Sequence, residues 1–417
     1  MKLLTNKNIE SLPRSNILII PVLSDHKKHW TQNKLSFIYI FEFETGNEYC
    51  IGLDHNDLEN VTESFLSEDF GDNVLVYHKK FLPQYKRFYE ARFVNWIHKN
   101  KLDDEDYSPR ILWFHQKFNQ IKNVNSCIPI MVWLEWCREI KINFIKSYSV
   151  FRQIDVLIEC DKMYNEFIQI EQNGLFTDNG KYEHSEYNPF TITGRPSNVF
   201  SGINYAALNK DNDERLRFVS RFGTLGTLIE IDLMSYHVKL LSKIIDYKFD
   251  QSDVYLDLQQ KYFPDKSLSE IKGLVFKQLY GKIDKEFEHI EFFQKVKQLN
   301  REMFLKYKLN LLKTFLFDRP ISNKNLPDLP MYKLFNYLMQ NFETEFNSQI
   351  LQKINQLLES CETKLILYTY DSFLFDFNKN DGSQLLTSIT NVFKEFDLPY
   401  RIASGKNYHE MKKVLVF

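Results

Sequence analysis

The sequence predicts an α+β protein with more than one domain. Its 417 residues are enough for two or three domains that each bury a core. A hydrophobic fraction of 43% and an aromatic fraction of 15% exclude a disordered chain. Short apolar strands and amphipathic helices occupy separate stretches of the chain, which is typical of the α+β class.

Strands are predicted near the N-terminus and helices after them. Residues 16–54 contain NILIIPVL, LSFIYIFEF and EYCIGLD, which are apolar runs of strand length. Residues 84–175 carry apolar side chains at spacings of three and four, as amphipathic helices do. Residues 176–205 are rich in turn-forming Asn, Gly and Pro, so we expect irregular structure there.

The C-terminal half predicts two strands that end at aspartates. TLIEID (227–232) leads into a helix over 235–246. Further helices are predicted over 253–315, with an interruption at Phe263-Pro264-Asp265, and over 336–360. KLILYTY and SFLFDF then predict a tight hairpin with Asp371 near its tip.

Composition limits the classes of function. A formal net charge of −2 gives no global basic field, although it is compatible with a local basic cleft. The cysteines are scattered without a C-x-x-C pair, which argues against a disulfide framework and a structural zinc site. They are Cys50, Cys127, Cys137, Cys160 and Cys361. The N-terminal segment turns polar too early for a signal peptide, and no apolar run would span a bilayer. We therefore expect a soluble, cytoplasmic protein.

The two strand-end aspartates predict a site for divalent cations. Asp371 interrupts an apolar, aromatic pattern, and a preference of turns for Asp is the simpler explanation for it alone. Asp232 ends a second strand, in LIEIDLMSYH. Two such carboxylates can converge on two Mg²⁺ ions, which stabilise the attacking and leaving oxygens of an in-line phosphoryl transfer.

One helix face predicts a nucleotide contact. In SEIKGLVFKQLYG, the residues Lys272, Phe276 and Tyr280 are spaced i, i+4 and i+8, so they lie on one face and span about 12 Å. That length matches a nucleotide, with Lys272 at the phosphates and the aromatic rings at the sugar and base. The alternative is an amphipathic helix whose apolar stripe belongs to the core.

Taken in order, these segments resemble the family A (DNA polymerase I-like) polymerases over roughly residues 176–417. TITGRPSN resembles the T-x-TGR segment, IEIDLMSYHVKLL the first palm motif, and KGLVFKQLYG the fingers helix with K-x3-F-x3-YG. SDVYLDLQQKYF is similar to the segment that opens the fingers, and LLKTFLFDRPI to the strand pair ending in a primer-contacting Arg. FNYLMQNFETE resembles N-x3-Q, YDS the last palm motif, and SGKNYHE the closing segment.

The resemblance implies a right-hand polymerase fold with palm, fingers and thumb, preceded by a small α/β RNase H-like domain. Its expected segments are 1–82 (degenerate exonuclease-like domain), 83–175 (helical thumb region), 176–244 (first palm segment), 245–325 (fingers) and 326–417 (second palm segment). Residues 1–82 have compatible strands but lack a convincing carboxylate set for two metals. We therefore expect no proofreading activity.

The resemblance also implies template-directed DNA synthesis with two Mg²⁺ ions, for which Mn²⁺ can substitute. Asp232 and Asp371 would be catalytic and hold the metals with the Leu233 carbonyl, and Lys272 would neutralise charge on the triphosphate and protonate the leaving group. The other expected nucleotide contacts are Phe276, Tyr280, His237 and Tyr255. The expected primer–template contacts are Arg195, Arg319, Asn336, Gln340 and Tyr370. The implied partners are primer–template DNA and dNTPs, with a separate exonuclease or processivity factor as a further candidate.

The sequence departs from the family pattern at the sugar-selecting position. His237 stands where the family usually has the Glu that blocks a ribose 2′-OH, and Ser372 replaces the Glu of the last palm motif. Both features are reminiscent of phage single-subunit RNA polymerases. We favour dNTPs because the TGR segment and Phe276 follow the DNA polymerase pattern, and a bulky His237 against Tyr280 can close the 2′ side.

Two other functions remain open. One is an RNA polymerase or primase-like enzyme with relaxed sugar selection. The other is a non-catalytic, nucleic-acid-binding replisome subunit, against which the presence of both aspartates and Lys272 argues. The small size favours a phage-encoded polymerase, which would act in the host cytoplasm.

Overall fold

The computed structural model describes residues 1–100, 102, 107–199, 202–208, 213–281 and 283–416. The chain divides into two compact units, Met1–Ile168 and Gln169–Phe417. Both combine sheets with helices, so the predicted α+β class is confirmed. Among the described residues, no helix is both long and apolar enough to cross a membrane. The finer division into five segments remains a prediction.

The first unit is built on a mixed six-stranded sheet in the order β1-β4-β3-β2-β5-β6. Its strands are β1 (Lys2–Leu4), β2 (Ile17–Leu23), β3 (Leu35–Glu42), β4 (Glu48–Gly52), β5 (Val74–Val76) and β6 (Tyr89–Glu90). The helices that follow are α1 (Arg92–Lys99), α2 (Pro109–Lys117), α3 (Val124–Cys127), α4 (Ile130–Tyr148) and α5 (Ile154–Asn173), whose residues from Gln169 onwards belong to the second unit. The predicted strands within 16–54 and helices within 84–175 are thus present.

The core of this sheet follows from its apolar strands. In β2 and β3 nearly every residue is buried, because side chains on both faces are covered. On one face Ile17, Ile19, Ile38 and Ile40 pack into a common apolar cluster. On the opposite face Trp133 of α4 lies against Phe37 of β3, with ring centroids 6.0 Å apart.

Several buried charges of the first unit form ion pairs. The Lys79 ammonium, which is fully buried, lies 2.7 Å from the Asp161 carboxylate and donates to the Phe88 carbonyl. Glu90 binds the Arg92 guanidinium at 2.8 Å. Such pairs balance the large cost of burying isolated charges, so removal of one partner is more damaging than removal of both.

The second unit contains an antiparallel five-stranded sheet in the order β12-β13-β11-β14-β15. These strands are β11 (Gly226–Leu233), β12 (Lys364–Tyr368), β13 (Ser372–Asn378), β14 (Tyr400–Gly405) and β15 (Lys412–Val416). Two short strand pairs precede them: β7 (Leu175–Phe176) with β8 (Tyr182–Glu183), and β9 (Tyr187–Asn188) with β10 (Ser197–Asn198). The predicted hairpin is therefore present, as β12 and β13.

Six helices of the second unit complete the fold as described. They are α6 (Tyr236–Ile244), α7 (Val254–Tyr262), α8 (Leu268–Tyr280), α9 (Glu291–Lys308), α10 (Met331–Leu358) and α11 (Gly382–Glu395). The helix predicted over 336–360 begins earlier, at Met331, because the buried Leu334 and Phe335 extend its apolar face towards the N-terminus. The stretch predicted as helical over 253–315 is broken between α7, α8 and α9 and ends at Lys308.

Four histidines give the first unit a pH-dependent stability. Burial and the neighbouring His115 lower the pKa of His26 to about 4. Burial also lowers the pKa values of His55, His78 and His115. His26 and His115 stack with ring centroids 3.7 Å apart, so protonation of both is opposed. Because the unfolded chain binds more protons below about pH 6.5, the free energy of unfolding should decrease from there towards about pH 4.

All five tryptophans lie in residues 1–168, so tryptophan fluorescence reports the unfolding of this unit alone. We expect the urea concentration at its unfolding midpoint to decrease as the pH is lowered from neutral to about 4.5. In His78→Asn this decrease should be smaller. Asn suits the left-handed backbone of His78, whose φ is 63°, and removes the titrating ring. A midpoint with the same pH profile in both proteins would contradict this account.

Candidate active site

The two strand-end aspartates meet because β11 and β13 are neighbours in the sheet. Their antiparallel register sets Asp232 opposite Ser372. Asp371, the residue before Ser372, therefore lies next to Asp232 at the same end of the sheet. The Leu233 N–H donates to the Asp371 carbonyl at 2.8 Å and ties the end of β11 to the hairpin tip. Both carboxylates line one cavity of about 600 Å³, here called the cleft.

The hairpin tip is a tight, strained turn. The Asp371 N–H donates to the Thr369 carbonyl at 2.9 Å, and the residue between them, Tyr370, has φ of 67°. An i to i+2 bond around a positive φ is the strained form of the γ-turn. Tyr370 is held there because its hydroxyl donates to the Pro196 carbonyl at 3.0 Å and the Arg195 guanidinium stacks 3.6 Å above its ring.

Asn347 of α10 holds the tip from the other side. Its amide nitrogen donates to the Tyr370 carbonyl at 2.8 Å and to the Tyr368 hydroxyl at 2.7 Å. Its amide oxygen accepts from the Tyr236 hydroxyl of α6 at 2.6 Å. A single buried side chain thus joins α6, α10 and the hairpin. Asn347 was not among the predicted residues, although it lies seven residues after Gln340 on the same helix face.

The electrostatics of the two aspartates differ. Asp371 faces the cleft, where partial burial and the nearby carboxylates of Asp232 and Glu343 raise its pKa to about 6. Asp232 forms an ion pair with Arg401 of β14, with Nη2 and Oδ2 2.5 Å apart. Two carboxylates held this close repel each other, so a cation between them would be favoured.

The residues fit hard divalent cations such as Mg²⁺. Both side chains offer oxygen ligands in an open cleft, and a share of the raised pKa of Asp371 comes from Asp232. Within the described residues, no group of three or more His, Cys, Asp and Glu side chains could hold a metal. A metal here would therefore complete its shell with main-chain carbonyls, water or substrate phosphates, as Mg²⁺ usually does.

Helix α8 presents its predicted nucleotide face to the cleft. Lys272, Phe276 and Tyr280 line the cleft, and Phe276 and Tyr280 stack with centroids 5.7 Å apart. The core side of the helix is a different one, formed by Ile271 and Val275 together with Leu279. The alternative in which the stripe belongs to the core is therefore wrong.

The first turn of α8 is stabilised by a capping box, whereas its interior contains a destabilising glycine. The Ser267 hydroxyl accepts from the Glu270 N–H while the Glu270 carboxylate accepts from the Ser267 N–H, which is a capping box. Gly273 follows Lys272, and a Cβ there would meet no atom within 4 Å. Glycine inside a helix costs about 0.5–1 kcal/mol relative to alanine. Because a side chain would fit at Gly273, no steric reason for this glycine is present in its surroundings.

Glu343 of α10 is a buried carboxylate in the cleft wall that was not among the predicted residues. One oxygen lies 3.0 Å from Arg195 Nε, and the other lies 3.2 Å from His237 Nε2. The second ring nitrogen of His237 bonds to the Tyr280 hydroxyl. The result is a chain of contacts from Arg195 through Glu343 and His237 to α8. The signal for Glu343 was its spacing of three from Gln340.

Nine of the predicted site residues line the cleft: Arg195, Asp232, Leu233, His237, Tyr255, Lys272, Phe276, Tyr280 and Asp371. Four do not: Arg319, Asn336, Gln340 and Tyr370. Tyr370 is the central residue of the turn at the tip, and Asn336 and Gln340 lie on α10 before Glu343. Arg319 is only 1% exposed, and its guanidinium donates to the Ile192 carbonyl and to Asn341. The primer–template roles of these residues stay predictions.

Asn347 offers a direct test of how the tip is supported. In Asn347→Ala, the Tyr236 and Tyr368 hydroxyls and the Tyr370 carbonyl lose a buried partner, so the free energy of unfolding should fall by about 2–4 kcal/mol. Thr344→Ala is the matched control on the same helix, because the Thr344 hydroxyl bonds to the Gln340 carbonyl of its own helix. Urea unfolding followed by far-ultraviolet circular dichroism measures both. Equal losses in the two variants would refute a special role for Asn347.

Neither a scan against protein-family models nor a search of curated proteins finds a match. Among solved structures, the chain is similar to the POL domain of Pol1 from M. smegmatis in complex with DNA primer-template and dNTP. The TM-score is 0.65 and the identity 10%, and the alignment covers 99% of this chain and 100% of that one. At that identity the likeness concerns the fold. The chain has the fold of a DNA polymerase domain, as the sequence motifs predicted.

Proposed function

We propose that this chain is a family A DNA polymerase, which adds dNMPs to a primer 3′-OH on a DNA template without proofreading. The observation that carries the proposal is the meeting of three independent sequence elements around one cleft. These are Asp232, Asp371 and the α8 face of Lys272, Phe276 and Tyr280. The cleft volume of about 600 Å³ lies within the range of small-ligand sites, about 300–1,000 Å³.

In this mechanism the two aspartates would hold Mg²⁺ and α8 would hold the nucleotide. Bound at Asp232 and Asp371, two ions would supply positive charge to the attacking and leaving oxygens. The Lys272 ammonium balances the triphosphate and donates a proton to the pyrophosphate oxygen. Phe276 and Tyr280 stack against the incoming base and sugar. Primer–template DNA and dNTPs are the partners that this mechanism requires.

Sugar selection would depend on His237. Its ring bridges Glu343 and the Tyr280 hydroxyl, so it belongs to the wall between α6, α8 and α10. A wall held by three elements at this point can exclude a ribose 2′-OH by size. The second candidate, an enzyme with relaxed sugar selection, is favoured by the same residue, because His237 and Ser372 replace the two Glu residues of the family pattern.

Primer extension tests the proposed reaction. With Mg²⁺, a DNA template and dNTPs, the parent should extend a primer, and Asp232→Asn and Asp371→Asn should each lose at least about a thousandfold in rate, since each lacks a metal ligand. Asp397→Asn is the matched control, because that carboxylate is 84% exposed and pairs only loosely with Lys243.

Retained extension in Asp371→Asn would refute its role as a metal ligand. Intact primer–template binding without extension in the parent would favour the non-catalytic replisome subunit. Extension by the parent with rNTPs at a comparable rate would favour the second candidate.

The contact between His237 and Glu343 predicts a non-additive pair of substitutions. His237→Glu alone should slow dNTP incorporation by about tenfold or more, because it sets two carboxylates together in a buried position. Adding Glu343→Gln removes the repulsion, so the double variant should recover the rate and discriminate more strongly against rNTPs. Single-turnover incorporation with each sugar measures both effects. An additive result would show that the two side chains do not interact.

A further inference from the structure

Arg401 occupies the carboxylate that the proposed mechanism gives to a metal. It lies directly opposite Asp232 in the β11–β14 register, and its Nη2 is 2.5 Å from Asp232 Oδ2. The Arg401 side chain is 50% exposed and that of Asp232 only 16%. The guanidinium therefore approaches from the solvent side, where a cation would also enter. The guanidinium therefore competes with a cation for this carboxylate oxygen.

The acidic side chains of the cleft are not compensated alike. Glu343 has Arg195, and Asp232 has Arg401. Among the described residues, no ion pair to Asp371 is present, and its raised pKa reflects burial and the neighbouring acids. Arg401 is thus a direct neutralising contact to one member of the pair of strand-end aspartates. An arginine stays charged at any relevant pH, so only displacement can remove its charge from Asp232.

A second cavity gives the Arg401 side chain another place to go. It measures about 340 Å³, and Arg401 lines both this side cavity and the cleft. Glu230 lines it too, on the same face of β11 as Asp232 because side chains alternate along a strand. The residue opposite Glu230 is the small Ala403, which leaves the volume open. Glu230 is therefore the diagonal neighbour of Arg401, within reach of a long side chain.

Other charged groups also line the side cavity. Arg215 stacks on Tyr408 at 4.1 Å and donates to the Leu208 carbonyl, while Lys413 and His409 complete the basic side. Glu230 accepts from the Ser372 and Tyr408 hydroxyls at 3.1 Å each. Among the described residues that line this cavity, Glu230 is the acidic one, so a displaced Arg401 would meet its carboxylate.

We propose that Arg401 is an exchangeable counter-ion of the metal site. Its guanidinium neutralises Asp232 in the metal-free protein, and it moves towards Glu230 when a divalent cation binds. This inference rests on the proposed function only in taking Asp232 as a metal ligand. As a consequence, the free protein binds divalent cations more weakly than its two carboxylates would without Arg401. The site therefore fills most readily when the nucleotide substrate brings its own bound metal.

Manganese binding tests this without any turnover. We would titrate the DNA-free protein with Mn²⁺ and follow the free ion by electron paramagnetic resonance, with Asp232→Asn as the blank for the site. Arg401→Gln should bind Mn²⁺ about threefold to fivefold more tightly than the parent, the upper part of the range expected for loss of a partly exposed ion pair. Lys413→Gln is the matched control: it removes the same charge nearby without touching Asp232, and should stay within about twofold of the parent.

A second variant tests the side cavity. Ala403→Leu fills the space opposite Glu230, so it should weaken Mn²⁺ binding in the parent and have no effect in the Arg401→Gln background. Circular dichroism confirms that each variant is folded, and Arg401→Lys, which keeps the charge but loses the planar fork, should lie between parent and Arg401→Gln.

Each outcome has one meaning. Equal or weaker Mn²⁺ binding in Arg401→Gln, or the same gain in Lys413→Gln, overturns the inference and leaves the proposed function standing if the parent extends primers. An absence of Asp232-dependent Mn²⁺ binding in parent and variant alike overturns the metal site itself, and with it the proposed mechanism.

Discussion

The register between β11 and β13 is the constraint on which the candidate site depends. It is fixed by buried apolar pairs, with Ile229 opposite Phe375 and Ile231 opposite Phe373, which follow the alternation of the strand. A slip of one residue would turn these side chains to the wrong face and remove the Leu233 bond to the hairpin tip. The same core packing that stabilises the sheet therefore sets the separation of the two carboxylates.

The cleft is lined by acidic and basic side chains that belong to different helices and strands. The strands supply Asp232 and Arg401, and the hairpin turn supplies Asp371. Helix α10 supplies Glu343, while α6 and α8 supply His237 and Lys272. Because each group belongs to a separately anchored element, none of them is positioned by its charge alone. Movements of α8 would alter the contact of Tyr280 with His237, and through it the surroundings of Glu343.

The sequence predicted those features of the site whose signal is local. Strand-end aspartates and the stripe on α8 follow from periodicities of two and of about 3.6, which are legible in a short window. Arg401 could not be found in that way, and helical spacing from Gln340 was the one local signal for Glu343 and Asn347. The contacts of all three depend on how α10 and β14 approach β11. Arg401 looks like an exposed residue of an ordinary strand until the pairing with Asp232 is known. The earlier start of α10 was also within reach of a local pattern, because the buried Leu334 and Phe335 stand at helical spacing from Leu338 and Met339.

The γ-turn at Tyr370 has a consequence for when conformational energy is spent. A residue in such a backbone conformation costs about 1–3 kcal/mol, and here an arginine stack, a tyrosine hydroxyl and Asn347 together maintain it. That cost falls on folding, which happens once, and not on each round of binding. The backbone of Asp371 is thus preorganised before any ligand enters, so little reorganisation energy would be added to a reaction step at this carboxylate.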